Sequence, residues 1–138
     1  GSSRLITDIG IEYKTPWVRP SEYAIESAYY NSPFFEYYRD ELFAILDSHP
    51  QRLWDMNMSL IEFFCRKIGI KTEIIKTDSF VESFKLCEDY RNAIHPKKSS
   101  TYEAHPYYQV FREKYGFIPN LSIMDLLFNE GPESICYL

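Results

Sequence analysis

The sequence predicts an α+β fold, predominantly helical, with five or six helices around a central buried helix (about 50–68) and two or three short strands. Three observations predict it. Apolar residues recur at helical spacing through most of the stretch from Ser21 to Gly131. From Leu53 to Ile68 they wrap most of the circumference, the pattern of a helix covered on all sides. Leu5 to Tyr13 and Lys71 to Thr77 are different, with strand period or strand length.

Taken in order, Ile9, Ile11 and Tyr13 share one face of the first strand. Pro16 and Pro20 bracket Trp17 in an extended loop. Ser21 caps a helix to Tyr30, with Ile25, Ala28 and Tyr29 as its apolar stripe. Ser32 and Pro33 restart the chain as N-cap and first helical position. Phe34, Tyr38, Leu42 and Ile45 then fall on one helical face, until Asp47-Ser48-His49-Pro50 stops the helix. The central helix follows and ends at Gly69, a residue suited to a C-terminal cap. Ser79-x-x-Glu82 is a capping box for a helix from Phe80 to about Asn92. A polar loop, His95 to Ser100, leads to a helix from Tyr107 to Tyr115, closed by Gly116. Ser122-x-x-Asp125 opens a last helix with a carboxylate at its positive end, and Gly131-Pro132 stops it.

Composition removes several functions. At 138 residues, 45% hydrophobic and 25% charged, the chain can bury its own core and is expected to form one domain over 1–138. A net charge of −5 with no run of Lys and Arg argues against nucleic acid as a partner. No apolar stretch is long enough for a membrane span. Cys65, Cys87 and Cys136 offer neither a disulfide framework nor a zinc spacing, and read as thiols in a reducing cytoplasm. The starting Gly1-Ser2-Ser3 reads as tag residue or as a cut inside a longer protein.

Candidate chemistry is sparse. No phosphate-loop, dinucleotide or hydrolase-elbow motif occurs, so no cofactor is implied. The three histidines, His49, His95 and His105, all precede proline and so favour extended backbone. His95 and His105 flank one loop but lack the further ligands of a metal site. His95-Pro96-Lys97-Lys98 is the single basic knot, able to meet a phosphate or carboxylate. Tyr37-Tyr38 and Tyr107-Tyr108-Gln109 are the densest aromatic places, fit either to build the core or to stack on sugars and bases.

Two stretches carry a resemblance. One is Glu26-Ser27-Ala28-Tyr29-Tyr30-Asn31-Ser32-Pro33-Phe34-Phe35-Glu36-Tyr37-Tyr38. The other is Tyr107-Tyr108-Gln109-Val110-Phe111, then Lys114-Tyr115-Gly116-Phe117-Ile118-Pro119-Asn120-Leu121-Ser122-Ile123-Met124-Asp125 and on through Glu133. Both resemble the bacterial WbqC-like proteins, and Ile94-His95-Pro96-Lys97-Lys98 and Leu5-Ile6-Thr7-Asp8-Ile9 fit the same order. The resemblance implies the C-terminal portion of such a protein, without the family's N-terminal segment. It also implies a role in O-antigen type surface-polysaccharide biosynthesis, as an aminoacyl (glycine) or acyl transferase acting on a sugar. A base would then deprotonate a sugar hydroxyl or amine, and His95 and His105 are the candidates. Lys97, Tyr107, Tyr108, Gln109, Lys114 and Asn120 are the candidate substrate-binding residues. The implied partners are a nucleotide sugar or activated amino acid, and the N-terminal segment or another assembly protein. Where members often show His-Trp before the first stretch, this chain has Ser21-Glu22. The alternative is a non-catalytic interaction module or a fragment of a larger protein.

Overall fold

Helix α1 spans Val18–Tyr29, α2 Phe35–Asp47, α3 Leu53–Ile68, α4 Arg112–Tyr115 and α5 Ile123–Glu130. Short 3-10 segments at Ile6–Asp8 and Gly131–Tyr137 flank them. The structure, a computed structural model, describes residues 4–79, 82, 87–91 and 103–138. The chain divides into two units, Gly1–Lys71 with Ala104–Leu138, and Thr72–Glu103. All the helices above belong to the first. In the second, Arg91 forks onto the Asp89 carboxylate, with its Nε 2.9 Å from Oδ1. The helix expected from Phe80 to Asn92 lies mostly outside the described residues, and 87–91 are not helical.

The expected strands are not there: among the described residues the chain forms no strand. Residues 9–11 are extended and make one antiparallel bridge, Gly10 to Arg52. Leu53 N–H donates to Ile9 O at 2.9 Å and Ile11 N–H to Gln51 O at 3.0 Å. The ladder cannot lengthen, because Leu53 already begins α3 and its successors bond within that helix. Residues 71–77 form no strand ladder among the described residues, and Ile75 is 75% exposed. An apolar pair without a facing strand does not make a sheet.

Helix starts move for reasons of capping. Helix α1 begins before Ser21 and takes Pro20 into its first turn, where a missing N–H breaks no helical bond. The Ser21 hydroxyl donates to Trp17 O at 2.8 Å instead of capping. Ser32 closes α1 rather than opening α2: its hydroxyl and its N–H both donate to Tyr29 O, at 2.7 and 2.8 Å. Helix α3 does stop at Gly69, whose φ of 88° is left-handed, and Gly69 and Ile70 N–H both reach Cys65 O. His49, expected to be extended, has a φ of 49°.

The core is built from α2, α3 and α5. Phe35, Tyr38, Leu42, Phe43, Phe63, Ile68, Leu127 and Phe128 form one buried cluster. Phe35 and Phe128 meet edge to face, with centroids 5.2 Å apart. Helix α3 touches α2, α5 and both 3-10 segments, so it is central in contact. It is not central in burial: only Phe63 and Ile68 are buried, and Ile61 is 45% exposed. Helix α5 is the covered one, with Asp125 through Asn129 all buried. A rise of 1.5 Å per residue makes α3 about 24 Å long and α5 about 12 Å, so the short helix cannot cover the long one. Among the described residues no helix is long and apolar enough to cross a membrane.

Candidate functional site

The second motif stretch folds around a buried carboxylate. Ser122 caps α5 as its sequence predicts, its hydroxyl accepting from Met124 N–H at 3.2 Å. Asp125, however, does not complete a capping box. Its side chain turns inward, where Tyr107 donates its hydroxyl at 2.7 Å and Gln109 Nε2 lies 3.3 Å away. Asp125 is 5% exposed. A carboxylate at that depth is tolerable only with donors around it, and Tyr107 and Gln109 supply them.

Gln109 does a second job. Its Nε2 donates to Ile118 O at 2.8 Å, and its Oε1 accepts from Ile118 N–H at 2.9 Å. One side-chain amide thus imitates a strand neighbour and closes the loop that carries α4. This explains why the helix expected over Tyr107–Tyr115 shrinks to Arg112–Tyr115. Tyr107 and Gln109 are spent on Asp125 and Ile118, Tyr108 N–H is spent on Glu130, and Gly116 (φ 71°) ends the short turn.

The Tyr107 ring sits against Phe117 and Tyr137, with centroids 5.4 and 5.9 Å away. Burial, reinforced by the Asp125 hydrogen bond, pushes its phenol far above the ordinary range. Tyr29 of α1 stacks edge to face on Phe128 at 5.1 Å. Its phenol is pushed up to about 12, mainly by burial and further by the nearby Asp125 charge. Asn129 Nδ2 donates to Asp125 O at 2.8 Å, while its buried Oδ1 has no hydrogen-bond partner.

Of the residues singled out from sequence, Tyr107 and Gln109 are brought together and face inward. Tyr108 is 48% exposed, and its N–H donates to Glu130 Oε1 at 2.8 Å. Lys114 is exposed, with its ammonium 4.9 Å from the centre of the Tyr115 ring. His105 is exposed, and so is Asn120, which has a φ of 57°. His95 and Lys97 lie outside the described residues.

Sequence reasoning missed Asp125 and Tyr29 as partners of this knot, because a carboxylate three residues after a Ser cap looks solvent-facing. It also missed Glu22. That carboxylate is 2% exposed, with one oxygen 3.0 Å from Arg19 Nη1 and the other unpartnered. No group of three or more His, Cys, Asp or Glu that could hold a metal occurs among the described residues.

The model of the WbqC-like protein family matches residues 1–94 and 88–137. The chain belongs to the WbqC-like protein family. The match spans residues 1–137 and is not confined to the second motif stretch. No curated protein and no solved structure matches the chain. In this WbqC-like chain, the second stretch therefore has two sides. Its inner side is the Tyr107–Gln109–Asp125 knot, and its outer side carries Tyr108, Phe111 and Tyr115, each about half exposed or more.

Proposed function

We propose that this WbqC-like chain acts in the cytoplasm in surface-polysaccharide assembly, binding a sugar-bearing substrate on residues 105–121. The observation that carries this reading is the anchoring of that segment from beneath. Tyr107 and Gln109 tie it to Asp125 and Ile118, so its outward rings stand on a fixed base. Tyr108, Phe111 and Tyr115 offer apolar faces to a sugar ring, and Lys114 offers a cation to a phosphate or carboxylate.

The reaction class that fits is aminoacyl or acyl transfer. A base takes the proton of a sugar hydroxyl or amine, the freed lone pair attacks the acyl carbonyl, and the donor's leaving group departs with its electron pair. His105, exposed at the start of the segment, is the base among the described residues. The test is a thermal-shift series of the full chain with nucleotide sugars and activated amino acids, followed by a transfer assay. A shift that weakens in Tyr108→Ala and Tyr115→Ala, with transfer lost in His105→Gln, supports the reading. No shift with any ligand overturns it.

One observation favours a second reading, a non-catalytic module that docks on another assembly protein. The Tyr107 hydroxyl, in the packed trio of Tyr107, Phe117 and Tyr137, is spent on Asp125 rather than offered to a substrate. A protein that shifts with no sugar or activated amino acid and transfers nothing fits this module.

A further inference from the structure

The stretch before α1 is held in an unusual way. No residue from Arg4 to Trp17 is buried. Its longer-range bonds converge on the short connection between α2 and α3. Leu53 N–H and Ile11 N–H make the bridge bonds with Ile9 O and Gln51 O, at 2.9 and 3.0 Å. Tyr13 donates its hydroxyl to Pro50 O at 2.8 Å, and its ring lies 4.8 Å from that of His49. Arg52 Nη1 donates to Thr7 O at 3.2 Å and stands 3.8 Å from Asp8 Oδ1.

Within itself the stretch is well tied. The Glu12 carboxylate accepts from the N–H groups of Lys14 and Thr15. Trp17 Nε1 donates to Glu12 O at 3.0 Å, and the Trp17 ring stacks on Tyr13 at 5.7 Å. Val18, 7% exposed, is the first residue set into the core. The segment is thus coherent, polar in its attachment, and hinged where burial begins.

We propose that residues 5–17 form a strap that detaches from residues 49–53 as a unit, about Trp17 and Val18, while the helical core stays folded. Segments opposed by few buried apolar contacts open well below the cost of global unfolding. Opening here exposes the remaining apolar surface of Leu5, Ile6 and Ile9, already 67%, 49% and 38% exposed, and that of the half-buried Ile11, Tyr13 and Trp17, but of no fully buried residue of the stretch. The His49 backbone, left-handed without being glycine, is strain that the closed strap holds in place.

Hydrogen exchange read by mass spectrometry on the full chain tests this, comparing the native sequence with Tyr13→Phe and Arg52→Ala. The expected result is that Ile11 and Leu53 amides exchange at least about tenfold faster than those of α2 and α5. Either variant then speeds strap exchange several-fold further, with α2 and α5 unchanged. Equal protection of strap and core, or variants that accelerate both together, overturns the proposal.

Discussion

Phe34 fills the space that a β-carbon on Gly131 would need: the nearest ring atom lies 2.6 Å from where that carbon would be. The two residues meet because Phe34 N–H donates to Phe128 O at 2.9 Å, which draws the start of α2 onto the end of α5. Gly131 also has a φ of 56°, and Pro132 follows it into a 3-10 segment rather than ending the helix outright.

Gly131→Ala therefore meets both backbone strain and overlap, and should destabilise by about 3 kcal/mol. Gly69→Ala is the control. Gly69 is also left-handed, at φ 88°, but a β-carbon there meets nothing within 4 Å. Only strain remains, about 1 kcal/mol. Urea denaturation of both variants decides the matter, and equal losses would refute the packing argument.

Removing the Tyr107 hydroxyl takes away the donor 2.7 Å from Asp125 Oδ2. Tyr107→Phe should cost about 2 kcal/mol, the range for a hydrogen bond to a charged group. The same change next door, Tyr108→Phe, should be close to neutral, since the Tyr108 ring is 48% exposed. Paired thermal melts would show the contrast.

Alkaline pH should loosen the same knot. The Tyr29 phenol is raised from 10.0 to about 12 in the folded chain, by burial first and the Asp125 charge second. Below pH 10 the phenol is neutral in both states and its contribution is intact. As pH climbs from 10 toward 12 the unfolded chain sheds the proton and the folded chain resists, so stability falls. Tyr107 is raised in the same direction by the same causes. Circular dichroism across that window should show an unfolding step that Tyr29→Phe weakens.

Glu41 bonds Lys67 and lies 3.1 Å from Arg66 Nη2, which lowers its carboxyl, with the Lys67 hydrogen bond the main cause. The Glu41 side chain is about half exposed, so solvent and salt screen the pairs. Glu41→Gln should leave the melting temperature nearly unchanged at any salt concentration, although the pair ties α2 to α3. A fall of many degrees would show that this surface network matters to the core.

Much of the helical order was legible in the chain itself. Gly69 as a stop, Ser122 as a cap and the apolar stripe of α2 follow from rules that reach only three or four residues along the sequence. The motif stretches carried the resemblance to the family, and the family model matches residues 1–94 and 88–137. Strand pairing and burial were not legible. Ile9 and Ile11 alternate as a strand does, but whether a strand forms depends on a partner from elsewhere, and here Leu53 turns into a helix. Apolar residues all round α3 predict a covered helix, yet coverage depends on the length of its neighbours. Asp125 is the clearest case. Its position says helix start, while its role depends on Tyr107 and Gln109, 18 and 16 residues away. Local propensity acts through bonds between near neighbours, so the sequence alone settles it. Which polar group is buried, and beside what, is a matter of long-range desolvation and packing, and only the tertiary structure decided it.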